Sequence, residues 1–210
     1  LQWGGFPEVV LAKDSGEKRM KLDDIFKSYF EKDVKILADF SDISKFRNLM
    51  FLLMQRVGSK IDITKLASEI EVTRPTVYSY LAFLQATYFI NLISPYTKSV
   101  DREISGTEKV YICDTGFLNA FSKVDKGAVL ENSVYLNLRN YGKINYYEKR
   151  NGGEIDFIVD ENIAVEVKNK AVSKYLIQTR RRADSLGFKG AYVVSKEFVD
   201  DSSVVLAQDV

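Results

Sequence analysis

Gly152-Gly153-Glu154-Ile155-Asp156-Phe157-Ile158-Val159-Asp160-Glu161-Asn162-Ile163-Ala164-Val165-Glu166-Val167-Lys168 sets two short runs rich in Ile, Val and Phe around a polar Asp160-Glu161-Asn162. That is the pattern of a β-hairpin closed by a three-residue loop. With Val159 opposite Ile163, Asp156 faces Glu166 and Glu154 faces Lys168. Alternation along the strands then puts these four side chains on one face, and Ile155, Phe157, Val165 and Val167 on the other. The apolar sets resist a one-residue slip, which would send one strand's polar set to the opposite face. Directly opposed residues have Cβ atoms roughly 4.5–5.5 Å apart, so two carboxylates there repel unless a proton or a cation lies between them. A hard divalent ion, Mg²⁺ or Mn²⁺, held by Asp156 and Glu166 with several waters, is the expected resident, and such ions serve to displace phosphate esters. The carbonyl of Val167, next in the strand, is a further candidate ligand.

Around the hairpin the pattern predicts a helix from Gly127, a strand over 143–148, a helix over 173–186 closed by Gly187, and a strand over 190–195. Leu130, Val134 and Leu138 form the buried stripe of the first helix. Glu131 falls on that same side, where an inward carboxylate needs a partner, and a metal shared with the hairpin would supply one. Residues 123–196 hold fourteen Lys or Arg against nine Asp or Glu, the basic excess that a phosphodiester substrate requires around an acidic centre. Lys149, Arg150 and Lys170, at strand ends beside the hairpin, are candidates for phosphate contacts. Of Arg180-Arg181-Arg182, which point in three directions on a helix, at least one is expected near the groove.

The N-terminal half reads differently. Residues 1–17 carry Gly4, Gly5, Pro7 and Gly16, the composition of a connector. A packing helix follows over 18–37, and another over 43–57 with Phe46, Leu49, Met50, Leu53 and Met54 at core spacing. Residues 63–70 and a helix opened by Thr73 and Pro75 form a helix-turn-helix candidate. Val77, Leu81 and Leu84 face its core, leaving Arg74, Thr76, Tyr78 and Ser79 near the exposed N-terminal end, where a recognition helix meets DNA. Residues 88–96 and 108–114 read as the strands of a wing. Residues 58–112 hold six basic and six acidic side chains, without the cationic excess of duplex-binding surfaces, so DNA contact and a protein-binding role both stand.

The 210 residues, 46% hydrophobic and 28% charged, can bury one sizeable core or two small ones. No run of eighteen apolar residues exists and no secretory signal opens the chain, so no membrane span is expected. Cys113 stands alone, in a sequence that reads as a buried strand, and a reducing cytoplasm is the expected compartment. The absence of His removes Ser-His and Cys-His catalysis, so hydrolysis must rest on carboxylates, Lys or Tyr. The chain opens on Leu1 rather than Met, the start expected of a piece of a longer protein. No phosphate loop of the Gly-x-x-x-x-Gly-Lys-Ser/Thr kind occurs, so ATP hydrolysis by that route is not expected of this piece.

The spacing Asp156, nine residues, then Glu166-x-Lys168 resembles the active-site motif of the PD-(D/E)XK nuclease superfamily. With Gly4-Gly5-Phe6-Pro7-Glu8, Lys32-Asp33-Val34, Asp114-Thr115-Gly116 and Glu131-Asn132, nearly the whole chain resembles the C-terminal half of bacterial and archaeal AAA-type ATPases that carry a nuclease-like domain. The resemblance implies an α+β / α/β chain in three parts. These are a linker and packing helix over 1–42, a winged helix-turn-helix-like domain over 43–122, and an αβββαβ PD-(D/E)XK nuclease-like domain over 123–210. It implies an ATPase module of the same full-length protein as partner, ATP entering only through that module, DNA as substrate, and an oligomer as a possible assembly. In the catalytic reading Asp156 and Glu166 hold the metal, Glu131 supports it or a second ion, and Lys168 orients the attacking water or neutralises developing charge. Gln178 lies on the helix where several nucleases of the superfamily place a polar residue facing the site; a surface glutamine is the alternative.

A second reading is a non-catalytic module that recognises DNA or a partner protein for the ATPase. A third, an aspartic protease built on Asp114-Thr115-Gly116, needs two such loops, and the chain has one; a turn closed by Gly116 accounts for the same residues.

Overall fold

The computed structural model describes residues 2–34, 42–99, 103, 106–149 and 153–210. The architecture is α+β, a helical N-terminal part followed by a mixed sheet of five strands. Two compact units divide the chain, one of residues 1–92 with 110–125 and one of 93–109 with 126–210. Sequence reading set apart residues 1–42 and drew its second boundary at 122/123. In the structure the N-terminal segment belongs to the helical unit, and residues 93–109 belong with the sheet.

In the helical unit, Pro7–Val10 (α1) and Ser15–Ser28 (α2) replace much of the connector expected over 1–17. Asp14 makes the difference, because its carboxylate accepts the amides of Gly16 and Glu17 and starts α2 ahead of the apolar pattern. The helix continues as a π-helical turn, Tyr29–Val34; Leu37, the last position of the expected helix, lies outside the described residues. Ile43–Gln55 (α3), Ile63–Glu69 (α4) and Arg74–Ala86 (α5) start at Asp42, Asp62 and Thr73, each of which caps its helix through a side-chain oxygen. Phe46, Leu49, Met50, Leu53 and Met54 of α3 and Val77, Tyr80, Leu81 and Leu84 of α5 are buried in the core of this unit, where the Phe46 and Tyr80 rings meet at 5.1 Å. Ile90–Ile93 (β1) and Lys109–Ile112 (β2) pair as a two-stranded sheet. Cys113, expected inside a buried strand, sits one residue beyond β2 and is half-buried.

Asp114 caps Thr115–Phe121 (α6) and holds the N-terminal glycine pair: its carboxylate accepts the amides of Gly5 and Gly116, each at 2.7 Å. Burial pushes this carboxyl above its ordinary value, and the amide donors offset only part of that. Asp114-Thr115-Gly116 is therefore a helix cap and a clasp: Thr115 and Gly116 open α6 where the sequence suggested a turn closed by Gly116.

The second unit opens with Lys126–Leu138 (α7) and a 3₁₀ turn, Arg139–Tyr141. Ile144–Lys149 (β3), Gly153–Val159 (β4), Ile163–Lys168 (β5), Ser173–Leu186 (α8), Gly190–Ser195 (β6) and Val204–Leu206 (β7) follow. The strand order is β3-β4-β5-β6-β7, antiparallel up to β5 and parallel after it. A parallel partner for β5 needs a crossover, and α8 supplies it. Gly187, at φ 81°, ends α8 in the left-handed conformation that glycine adopts freely.

The hairpin register agrees with the sequence reading: Val159 pairs with Ile163, Ile158 with Ala164 and Phe157 with Val165. The apolar alternation does not hold. The β3–β4 ladder shifts by one residue between Asn145 and Tyr147. Across this bulge Ile155 and Ile158 come together on one face, packed with Ala164, Ala183 and Phe188. Phe157 meets the ring of Tyr135 on α7 at 6.0 Å. Ile155 therefore leaves the face it was expected to share with Phe157. The expected Glu154–Lys168 pair is also absent, because Glu154 lies opposite Glu148 and pairs with Lys109.

Candidate functional site

The hydrogen-bonded ladder between β4 and β5 stops at Phe157 and Val165, one step short of the Asp156–Glu166 pair. Beyond it a side chain takes over: Asp156 Oδ2 accepts the amide of Val167 at 2.7 Å. The carboxylate is thereby fixed in orientation. Lys168 Nζ lies 3.6 Å from that same oxygen and 2.7 Å from Glu166 Oε1, so both carboxylates converge on one ammonium. Asp156 and Glu166 are each 8% exposed. Lys168 also donates at 3.0 Å to the carbonyl of Val167, the main-chain oxygen named as a candidate ligand.

Electrostatics follow from this crowding. Burial, and next the charge of Asp156, push the Glu166 carboxyl above its ordinary value, while Lys168 and Arg182 offset part of the shift. Burial alone would lower the Lys168 ammonium, but Asp156, Glu166 and Glu131 outweigh it and hold the ammonium above its ordinary value. Glu131, half-buried on α7, is thus within electrostatic reach of the lysine. Glu166 Oε2 is buried and accepts no hydrogen bond. A buried carboxylate oxygen without a donor is costly, and a cation would satisfy it. On that observation the pair fits a divalent ion of the kind that keeps most of its waters. Among the described residues, no group of three or more Asp, Glu, His or Cys side chains is gathered closely enough to hold a metal ion. Any such ion would rest on Asp156 and Glu166.

The expected helix over 173–186 forms as α8 and closes the site; Tyr175 and Arg182 on it were not singled out from the sequence. Tyr175, Gln178 and Arg182 recur at three and four along α8 and share one of its faces. The Tyr175 ring lies 5.5 Å from Lys168 Nζ, and Arg182 NH1 is 3.9 Å from Glu166 Oε2 while donating to the carbonyl of Glu154 at 2.6 Å. Gln178 sits between them on that face, half-buried. The spacing was visible in the sequence; what hid it was the consecutive Arg180-Arg181-Arg182, of which Arg180 pairs with Asp184 instead. Lys109, 5% exposed, reaches Glu154 Oε1 at 2.5 Å from a distant strand, a contact no local pattern announces.

The remaining candidates are spread out. Lys149 is exposed, Lys170 is exposed and pairs with Glu197 at 3.4 Å, and Arg150 lies outside the described residues. On α5, Arg74, Tyr78 and Ser79 are exposed, whereas the Thr76 hydroxyl is bound to Thr73 in the helix cap. A groove of about 450 Å³ lined by Leu138, Val159, Ile163, Val165, Tyr192 and Val194 lies on the sheet face opposite Glu166 and Lys168. Its lining is mostly apolar and includes none of Asp156, Glu166, Lys168 or Arg182.

Fold and cluster define an α+β protein whose mixed sheet carries a buried carboxylate pair bridged by a lysine. The chain belongs to the family described as "Domain of unknown function (DUF8612)", which matches residues 1–128. Residues 126–203 match a second family, described as "Domain of unknown function (DUF4143)", which is found in C-terminal regions associated with AAA-type ATPases. The chain is 29% identical over 170 residues to the uncharacterized protein MJ1544 of Methanocaldococcus jannaschii, a match that covers 76% of this chain and 38% of that protein. It is 23% identical over 133 residues to uncharacterized proteins of Mycobacterium bovis and Mycobacterium tuberculosis, covering 63% of this chain and 30% of each. The chain thus spans less than two-fifths of the length of these curated relatives. No solved structure matches it. Among the described residues, no helix is long and apolar enough to cross a membrane.

Proposed function

We propose that the sheet unit is a Mg²⁺-dependent phosphodiester-hydrolysing module of the PD-(D/E)XK type, acting on DNA as the C-terminal part of an AAA-type ATPase. The observation that carries this reading is the buried Asp156–Glu166 pair, bridged by Lys168 and left with an orphaned Glu166 Oε2. The supporting element order, α7-β3-β4-β5-α8-β6, is the αβββαβ order of that superfamily. A divalent ion held by Asp156 and Glu166 would supply the positive charge that polarises a phosphate ester. Asp156 is set for this by its bond to the Val167 amide. Lys168 keeps its proton at Nζ and offers it to charge developing on phosphoryl oxygens, with the Tyr175 ring limiting where the ammonium can swing. Glu131 adds negative charge on the α7 side. In the helical unit, α3 to α5 with the β1–β2 sheet form the winged-helix part, whose exposed Arg74 and Tyr78 would contact the phosphate backbone.

A second reading is favoured by one observation: the Lys168 ammonium already lies against both carboxylates. A docking module without metal chemistry would look the same. Mn²⁺ titration by calorimetry separates the two. The nuclease reading expects one site that Asp156→Ala and Glu166→Ala each abolish, together with Mn²⁺-dependent nicking of plasmid DNA. Absence of Mn²⁺ binding in the unsubstituted chain leaves the docking module.

A further inference from the structure

We propose that Arg182 is the substrate-binding residue of this site that takes a non-bridging phosphate oxygen, an assignment that rests on the phosphodiesterase reading above. Arg182 stands on the half-buried α8 face that also carries Tyr175 and Gln178. Its guanidinium is fixed before any ligand arrives. NH1 donates to the carbonyl of Glu154 at 2.6 Å. A guanidinium carries five N–H donors in one plane. Among the described residues only one bond is made by this one, and its 3.9 Å approach to Glu166 Oε2 is a charge contact without a hydrogen bond. A quarter of the side chain remains exposed, and four of the guanidinium's five donors are left for a ligand.

Charge placement points the same way. A phosphodiester is an anion, and approaching two buried carboxylates costs repulsion unless cations flank the entry. Lys168 covers Glu166 Oε1 on one side and Arg182 stands off Oε2 on the other. Lys168 already spends two of its three N–H donors, on Glu166 and the Val167 carbonyl, whereas Arg182 spends one of five. A planar fork held by a main-chain carbonyl is suited to phosphate oxygens in a way that an ammonium is not. Neither neighbour can substitute: Arg180 pairs with Asp184, and successive helical residues point about 100° apart, which turns Arg181 away from the Glu154 carbonyl.

The test uses the full chain and a thymidine oligonucleotide with phosphorothioate linkages, with affinity measured in Mn²⁺ and in EDTA. Free Mn²⁺ is read separately by electron paramagnetic resonance. Arg182→Gln should weaken oligonucleotide binding in Mn²⁺ by about tenfold or more, the loss expected for a charge-assisted hydrogen bond. Arg182→Lys, which keeps the charge and guards against a folding defect, should recover less than half of that loss. Mn²⁺ affinity should stay within about twofold in both. Unchanged oligonucleotide affinity would overturn the assignment. So would Mn²⁺ affinity falling in parallel with it, because Arg182 would then only place Glu166. If no variant binds Mn²⁺ while Arg182→Gln still loses oligonucleotide affinity in EDTA, the metal chemistry proposed above fails and the phosphate contact of Arg182 stands.

Discussion

Glu166 is the residue on which stability and function pull against each other. Its carboxyl is raised by burial and by Asp156, and Lys168 with Arg182 offsets only part of this. A carboxyl raised in the folded chain binds its proton more readily there than in the unfolded chain. Stability therefore falls as pH rises from the ordinary carboxyl value through the folded one, and the penalty is complete only above the folded value. Glu166→Gln should accordingly raise stability at neutral pH, where the buried charge is removed. The gain should shrink as pH drops towards the ordinary carboxyl range. Urea midpoints of both proteins across that interval check the sign, and a destabilised Glu166→Gln at neutral pH would show that its pairing with Lys168 outweighs burial. The same substitution should abolish Mn²⁺ binding, so stability and ligand binding move in opposite directions.

At the scale of elements, the N-terminal glycines show how a local signal can be misjudged as a loose connector. Gly4 has φ 74°, and a Cβ there would lie 1.8 Å from Asp114 Oδ1. Gly5, its neighbour, leaves a Cβ 3.9 Å from Asp114 Oδ2, an ordinary contact. Gly4→Ala should therefore cost more than about 1 kcal/mol, through strain and loss of the clasp, while Gly5→Ala costs a few tenths at most. Thermal midpoints of the two variants decide it, and equal costs would sink the clasp. Helix α5 carries the other prediction at this scale. If its exposed end meets DNA, Arg74→Ala should weaken binding alike across sequences and reduce the salt slope by about 1; an unchanged slope assigns the helix to a protein partner. Sequence patterns revealed these elements because caps and apolar periodicity are local. Asp62, Thr73 and Gly187 mark their helix ends, and the hairpin register follows from apolar residues on either side of Asp160-Glu161. The bulge between Asn145 and Tyr147 was not legible, since an extra residue in one strand shows only against its partner. Nor were Lys109 beside Glu154, Arg182 beside Glu166, or β7 along β6, all of which depend on segments brought together by the tertiary fold.

At the scale of the molecule, each unit closes its own core, around Phe46, Leu53 and Leu84 in one and Ile155, Phe157 and Ile158 in the other. The charged cluster belongs entirely to the sheet unit, since Glu131, Asp156, Glu166, Lys168 and Arg182 all lie within 126–210. A ligand that binds only the folded cluster stabilises the elements that must stay in place to form it. At a hundredfold excess over its Kd, Mn²⁺ should contribute about 2.7 kcal/mol, slowing by about a hundredfold any amide exchange that requires opening of the site. The amide of Val167 is the most telling probe, because its acceptor is Asp156 Oδ2 rather than a strand carbonyl. Protection should rise there, along β4 and β5 and in the first turns of α8, and stay unchanged in α3 to α5. Asp156→Ala removes the acceptor and one ligand together, so it should leave Val167 fast-exchanging with or without Mn²⁺. If Mn²⁺ instead protected α3 to α5, or protected the Asp156→Ala chain equally, the ion would be binding elsewhere and the carboxylate pair would lose its assigned part.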